Sequence, residues 1–226
     1  MKSVLILADS YGGQRVFKGI TDVPLDKTYP YLFKAHFTNL QTEINTASFR
    51  KMTEIPALCN ENKNFDLLIV QAGIVDCFPR ALSQKLTQSQ SFFAKSLRKI
   101  IRLKRSIFLR LFRNKPWTSP SEFKNSIISI IESAAGRPIL FLNIAPVNEK
   151  QEKENPGAKE SIVRYNQLLT FATEGQSTVH IIDVHKVLEP ISNRKQMLHS
   201  TDSHINSNGN MLYFELLRDK MRAYLQ

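Results

Sequence analysis

Unbroken apolar runs alternate along this chain with segments in which apolar residues recur at helical spacing. A run of this kind is typical of a strand that is buried on both faces of a sheet. Strands that alternate with helices favour a mostly parallel sheet with helices on both faces. The sequence therefore predicts an α/β fold with five strands. The predicted strands are residues 4–8, 43–47, 65–71, 138–145 and 179–184.

The intervening segments predict the helices and two loops, of which one connects the fifth strand to the last helix. Residues 146–158 are polar and contain Pro156-Gly157, which predicts a loop. We see no internal repeat, low-complexity tract or linker, so we expect a single domain over residues 1–226, with a basic helical insertion at about 84–118. The predicted helices are residues 29–37, 53–59, 84–113, 121–135, 161–172 and 208–225.

The first strand ends in a turn that can carry chemistry. Val4–Ala8 is followed by Asp9 and Ser10, and then by Gly12 and Gly13. Open α/β sheets bind their ligands at the carboxyl ends of the strands, which is where Ser10 is expected. Asp, Ser and Gly are also ordinary turn formers, so this stretch alone fits a plain turn equally well.

A late loop offers partners for such a serine. A nucleophilic serine needs a base, and the base needs an orienting carboxylate. His204 and Asp202, just before the last predicted helix, could supply both. Asp202 could instead cap that helix or lie in its first turn. Asp9 and Asp76 are expected to order turns through backbone hydrogen bonds.

Three short blocks occur in order along the chain, Ala8-Asp9-Ser10, Gly73-Ile74-Val75-Asp76 and Asp202-Ser203-His204. Together they resemble the motif blocks of the SGNH subgroup of the GDSL hydrolases. The resemblance implies a flavodoxin-like three-layer α/β/α sandwich and hydrolysis of an ester, often an acetyl ester on a sugar. It also implies Ser10 as nucleophile, His204 as base and Asp202 as orienting acid, and we expect no cofactor and no metal. Residues 73–80 look like a bacterial branch often associated with surface-polysaccharide genes.

The chain departs from the family pattern at the oxyanion hole. The family uses the backbone N–H of its serine, that of a glycine in a second block, and an Asn side chain. No glycine occurs between Ser48 and Arg50, and Val75 stands where the Asn is expected. Our candidates for oxyanion and substrate binding are Ser10, Arg50, Gly73 and Val75. A non-catalytic carbohydrate-binding protein and an O-acyltransferase with the same triad stay open as alternatives.

The net charge of +11 is concentrated in one segment. No acidic residue occurs between Asp76 and Glu122, and this interval holds 11 Lys and Arg residues. The segment Lys95–Lys115 could bind an anionic membrane surface or attract an anionic substrate, or it could be a pair of core-packing helices with a solvated basic face. No recognised nucleic-acid-binding motif accompanies the charge, so we do not expect a nucleic-acid partner.

Composition also limits the compartment. The 2 cysteines, Cys59 and Cys77, do not indicate a disulfide framework. The N-terminal apolar run is too short for a signal peptide, and no run is long enough to span a membrane. We therefore expect a cytoplasmic protein, peripheral to the inner face of the membrane if the basic segment binds lipid. No cluster of His, Cys and carboxylates has metal-ligand spacing.

Overall fold

The structure is a computed structural model that describes residues 2–17, 19–103, 107–109 and 115–225. Part of the predicted helical segment 84–113 therefore lies outside the described residues, and so does part of the basic segment Lys95–Lys115.

The described strands are β1 (Ser3–Ala8), β2 (Arg15–Phe17), β3 (Ile20–Val23), β4 (Gln41–Thr46), β5 (Leu67–Gln71), β6 (Ile139–Leu142) and β7 (Val179–Ile182). Five of them form one parallel sheet in the order β4-β1-β5-β6-β7. Counted along the chain within that sheet, this is the 2-1-3-4-5 order of flavodoxin-like folds. The prediction of a parallel five-stranded α/β sheet is thus confirmed. β2 and β3 form a separate antiparallel pair.

The register of β1 places the ends of three strands side by side. Ala8 at the end of β1 pairs with Thr46 at the end of β4 and with Gln71 at the end of β5. The segments that follow these three strands therefore emerge at one edge of the sheet. β1 lies between its two neighbours, and residues 4–8 are buried, as its apolar sequence predicts.

Helices cover both faces of the sheet. The described helices are α1 (Tyr29–His36), α2 (Ile55–Glu61), α3 (Ile74–Cys77), α4 (Gln84–Gln88), α5 (Phe92–Leu103), α6 (Pro120–Ala134), α7 (Glu149–Glu154), α8 (Ala158–Thr173), α9 (Val184–Leu188), α10 (Ile191–Met197) and α11 (Ser207–Leu225). On one side α1 packs against α11, and on the other α6 packs against α2 and α8. The result is the three-layer sandwich that the family resemblance implies.

Helix α6 shows how local sequence fixes these elements. The Ser119 side chain accepts from the N–H of Glu122, whose carboxylate accepts from the N–H of Ser119. This capping box satisfies two backbone donors that would otherwise lack partners. One face of the helix then buries Phe123 and Ile127. Burial of a side chain of this size contributes about 1.5–3 kcal/mol.

Three parts of the fold differ from the sequence prediction. The loop predicted between the fifth strand and the last helix contains α9 and α10, two short helices without a long apolar pattern, so that prediction is wrong over these helices. The predicted loop at 146–158 contains helix α7, so that prediction is wrong over Glu149–Glu154. The helix has no apolar stripe to announce it, and its start is set by the Asn148 side chain, which accepts from the N–H of Gln151. The β2–β3 hairpin was also not predicted, because its short strands are largely exposed and lack a clear alternating pattern.

Among the helices within the described ranges, none has a stretch long and apolar enough to cross a lipid bilayer.

Candidate active site

The structure brings Ser10, His204 and Asp202 into one hydrogen-bonded row. Ser10 Oγ lies 3.0 Å from His204 Nε2, and His204 Nδ1 lies 3.2 Å from Asp202 Oδ1. The backbone N–H of His204 also donates to Asp202 Oδ1, at 2.9 Å. This order of hydroxyl, imidazole and carboxylate is the geometry in which a base can take the serine proton while a carboxylate holds the ring.

Ser10 is positioned by the tight turn that ends β1. Asp9 is buried, and its Oδ1 accepts from the N–H of Tyr11 at 2.9 Å. The N–H of Gly12 donates to the Asp9 carbonyl at 3.1 Å. A Cβ at Gly12 would lie 2.7 Å from Ala8 Cβ, so only glycine fits the turn. The chain therefore reverses sharply enough to leave Ser10 half-buried at the edge of the sheet.

Two buried carboxyl groups, those of Asp9 and Asp76, accept hydrogen bonds near the sheet edge at which Ser10 lies. Burial raises the pKa of Asp9 to about 6 and that of Asp76 also to about 6. Asp76 Oδ2 accepts from the N–H of Met52 at 2.8 Å, and its Oδ1 accepts from the Thr118 hydroxyl at 2.7 Å. Asp76 thus ties together segments that are distant in sequence.

The loop that carries His204 is held from two sides. Asn148 Nδ2 donates to the carbonyl of His199 at 2.6 Å and to that of Asp202 at 2.7 Å. From the other side, the Tyr11 hydroxyl donates to the Ser203 carbonyl, and the Tyr11 ring lies 5.5 Å from the His204 ring. The Ser10 turn and the His204 loop are therefore joined directly. Sequence reasoning missed Asn148 because the segment around it has no helical pattern.

Asp202 does not cap the last helix. Asn206 caps it instead, since its Oδ1 accepts from the N–H of Gly209 at 3.0 Å. The alternative role for Asp202 as the cap is thus wrong. Its carboxylate is directed to His204 and, through Oδ2, to Arg15 Nη2 at 2.5 Å.

Arg15 brings the β2–β3 hairpin into the site. The arginine is 8% exposed, and it also pairs with Asp22, which lies 3.1 Å from His199 Nε2. Burial raises the pKa of Asp202, but hydrogen bonds from His204 and Arg15 outweigh it and hold this pKa well below its usual range. Asp202 is therefore ionised throughout the neutral range. No local sequence pattern predicts the role of Arg15, because Arg15 and Asp202 are 187 positions apart.

The segment after β4 supplies an unusual backbone conformation. Phe49 has a φ of 62°, in the left-handed region that non-glycine residues rarely occupy. This is the segment in which the family pattern has a glycine. Among the described residues, no acceptor lies within hydrogen-bonding distance of the backbone N–H of Ser10, Ser48 or Phe49. All three residues line one cavity.

The remaining candidate residues take different positions. Arg50 is 5% exposed and lies outside the cavity lining; its guanidinium donates to the Ala8 carbonyl at 2.9 Å and to Asn45 Oδ1 at 2.6 Å. Gly73 also lies outside the lining, with a φ of 126° that leads into α3. Val75, by contrast, lines the cavity and offers no side-chain donor.

The cavity has a volume of about 900 Å³ and opens beside Ser10 and His204. Its walls come from the strand-end loops, α3, α4, α5 and α7. Apolar and charged side chains share the lining. The apolar members include Ile74, Val75, Phe78, Leu82 and Ile101, and the charged ones are Arg80, Arg98, Lys150, Lys153 and Glu154.

Within the described residues, no group of three or more His, Cys, Asp or Glu side chains could hold a metal ion. Cys59 and Cys77 are free and buried. Burial raises the pKa of the Cys77 thiol well above its ordinary value, so it is poorly suited to act as a thiolate nucleophile.

Solved structures with the same architecture cover nearly the whole chain, although no family model and no curated protein matches the sequence. A lipase/acylhydrolase from Enterococcus faecalis matches with a TM-score of 0.69 at 10% identity, over 99% of this chain and 97% of that one. A carbohydrate acetylesterase, Est24 from Sinorhizobium meliloti, has a TM-score of 0.59 at 14% identity, over 99% and 100%. Phospholipase A1 from Streptomyces albidoflavus NA297 has a TM-score of 0.61 at 16% identity, over 97% and 99%. The chain therefore has the fold of the GDSL/SGNH hydrolase structures, as the sequence resemblance predicts.

Proposed function

We propose that this protein is a serine ester hydrolase in which Ser10, His204 and Asp202 form the catalytic triad. The observation that carries the proposal is the contact of Ser10 Oγ with His204 Nε2, at 3.0 Å, in the lining of a cavity of about 900 Å³. The likeness to esterase and lipase structures supports it.

The reaction would proceed by acyl transfer to Ser10. The Ser10 oxygen attacks the ester carbonyl carbon, and its proton passes to His204 Nε2. The tetrahedral intermediate collapses, the bond to the alcohol breaks, and His204 returns the proton to the departing oxygen. Water then attacks the acyl-enzyme with His204 again as base, which releases the acid and restores Ser10.

Asp202 would hold the imidazole and stabilise the imidazolium that forms in both steps. Its Oδ1 faces His204 Nδ1, and its Oδ2 is held by Arg15. Because Arg15 touches Asp202 and not the reacting atoms, we assign it as a positioning residue.

The oxyanion would be stabilised by backbone donors. The N–H groups of Ser10 and Phe49 are available at the cavity, and the left-handed conformation of Phe49 replaces the glycine of the family pattern. Val75 adds no donor, although position 75 borders the cavity. Since one such donor contributes about 10²–10³ in rate in other hydrolases, we expect turnover below that of enzymes with the complete set. Arg50 would act indirectly, by fixing the strand ends beside Ser10.

The substrate would be a carbohydrate or other small-molecule ester, in keeping with the predicted link to surface-polysaccharide metabolism. The cavity volume of about 900 Å³ gives ample room for a sugar ring with a short acyl group. We also propose that the protein is bacterial and cytoplasmic, and that it is a single domain with a basic insertion.

Turnover of an aryl acetate tests the proposal. Wild type should release the aryl alcohol, whereas Ser10→Ala and His204→Ala should each lose about 10³-fold or more. Ser203→Ala is the matched control, because it removes a serine hydroxyl from the lining of the same cavity. The hydrogen bond from Tyr11 goes to the Ser203 backbone carbonyl, which the mutation keeps. An O-acetylated oligosaccharide offered next tests the substrate class, and transfer of its acetyl group to an added sugar would identify an acyltransferase. A folded wild type without Ser10-dependent turnover would favour the binding-protein alternative.

A further inference from the structure

Helix α5 carries an exposed apolar face. Phe92 is 86% exposed, Phe93 70% and Ile100 54%. At 3.6 residues per turn these side chains fall within a sector of about 100° on the helix surface. Contiguous exposed apolar side chains of this size mark interaction surfaces more often than a single exposed residue does.

Positive charge borders that face. Lys95 and Lys99 are exposed and project within about 60° of Phe92 around the helix. Neither forms an ion pair with a described acidic side chain. No acidic residue occurs anywhere between Asp76 and Glu122, so the surrounding sequence does not offset the charge.

The other side of α5 forms a wall of the catalytic cavity. Ile101 is 5% exposed and lines the cavity together with Arg98. Arg98 Nη1 also donates to the carbonyls of Thr87 at 2.9 Å and Ser89 at 2.6 Å, which fixes α4 against α5. The same helix therefore borders the cavity on one side and exposes apolar and basic residues on the other.

We infer that α5 is a docking helix for an anionic lipid bilayer, with the apolar face inserted among the lipids and the two lysines on their headgroups. This combination of an apolar face with flanking basic residues is typical of helices that lie in a membrane interface. A second copy of this chain fits less well, because pairing of two such faces would bring four lysines together, whereas an anionic surface complements them.

Docking through α5 would bring the catalytic cavity close to the lipid surface. Among the residues that the structure describes, the charged lining consists of four cationic side chains, Arg80, Arg98, Lys150 and Lys153, and one acidic side chain, Glu154. On the basis of the proposed hydrolase function, we infer that the small-molecule ester on which the enzyme acts is an anionic membrane amphiphile. The lysines on α7 would then attract its charged group, and the apolar wall would receive its acyl chain.

Sedimentation with vesicles tests the docking surface independently of catalysis. The Ser10→Ala protein is mixed with vesicles of phosphatidylcholine alone or with about 30% phosphatidylglycerol. Partition to the anionic vesicles should be at least about tenfold stronger in low salt, and screening in about 0.5 M salt should abolish the difference. Phe92→Ser/Phe93→Ser and Lys95→Glu/Lys99→Glu should each lower partition by about tenfold.

Matched variants on other elements control for general effects. Phe171→Ser removes a phenylalanine that is 69% exposed on α8, and Lys27→Glu/Lys34→Glu reverses two exposed lysines near α1. Both should keep partition within about twofold of the parent. Equal binding to both vesicle types, binding insensitive to the α5 variants, or no binding would each overturn the inference. If light scattering instead shows a dimer that Phe92→Ser/Phe93→Ser dissociates, the face is a contact between copies.

The substrate class has its own test in the wild-type enzyme. Hydrolysis of a short-chain phosphatidylglycerol should be at least about tenfold faster than that of the matching phosphatidylcholine. Equal rates, or hydrolysis of neither lipid by an enzyme that hydrolyses the aryl acetate, would overturn the anionic substrate class and leave the proposed hydrolase function intact. If neither the lipids nor the aryl acetate show Ser10-dependent turnover, the result counts against the hydrolase function itself.

Discussion

The sheet edge around Ser10 and helix α5 use charge in opposite ways. At the Ser10 edge, charged groups are paired and at least partly buried, as in the contact of Arg15 Nη2 with Asp202 Oδ2 at 2.5 Å. On α5, Lys95 and Lys99 are exposed, and they lie beside exposed phenylalanines. Buried pairs fix geometry, because separating them leaves an uncompensated charge, whereas exposed charges contribute little to stability and act on partners. We therefore interpret the Ser10 edge as a region that positions side chains, and the exposed face of α5 as a region that contacts a partner.

Asp9→Asn should produce the largest effect on stability. The folded pKa of Asp9 is about 6, above its ordinary value of 3.8, because burial disfavours the charged form. Between these values the unfolded chain releases the proton first, so the folded protein loses stability as pH rises from about 4 to about 6. The full loss is about 3 kcal/mol at higher pH.

Asn cannot ionise, so the mutant should escape this loss. The free energy of unfolding of Asp9→Asn minus that of wild type should therefore increase by about 2 kcal/mol from pH 4 to pH 7, measured by urea denaturation. The charge of Asp76 contributes to the raised pKa of Asp9, so the contribution of Asp76 to the pH dependence cancels only in part. A difference that stays constant with pH would mean that burial does not raise the pKa of Asp9.

Arg15→Met should lower the kcat of aryl acetate hydrolysis by about 100-fold, equivalent to about 2.7 kcal/mol of barrier. Asp202 would lose the partner on its Oδ2, and the imidazole of His204 would lose its fixed orientation. A positioning role predicts that kcat falls while KM changes little, and that Arg15→Lys recovers part of the rate.

The control for Arg15→Met is Lys34→Met, which removes an exposed cation on α1 that does not line the cavity. It should leave turnover within about twofold, since exposed charges have small effects. Thermal melts identify any loss of folded protein. Equal kcat values for Arg15→Met and wild type, with both folded, would contradict the positioning role.

Much of the fold and of the candidate triad could be predicted because the signals are local. The apolar run of β1, the block around Ser10 and the block around His204 each span only a few consecutive residues. Arg15, Asn148 and Phe49 could not be predicted in the same way. Arg15 and Asn148 act through contacts with a loop that is distant in sequence, and Phe49 adopts a backbone conformation that its residue type does not announce.

Val75→Asn should have a smaller effect, in the direction of gain. Position 75 lines the cavity with Ser10, so an amide there can donate to the oxyanion. We expect turnover of the aryl acetate to rise about tenfold, or about 1.4 kcal/mol. Val75→Ala is the control for the change in wall shape. A folded Val75→Asn protein no faster than Val75→Ala would show that another group already fills this role.

Covalent labelling of Ser10 by a fluorophosphonate tests the central claim most directly. The reagent phosphonylates serines that an adjacent base activates, and mass spectrometry of the digested protein locates the adduct. The account predicts stoichiometric modification at Ser10, with none in Ser10→Ala or His204→Ala and full modification in Ser203→Ala. A folded wild type that stays unlabelled at Ser10, or that is labelled equally in His204→Ala, would contradict it.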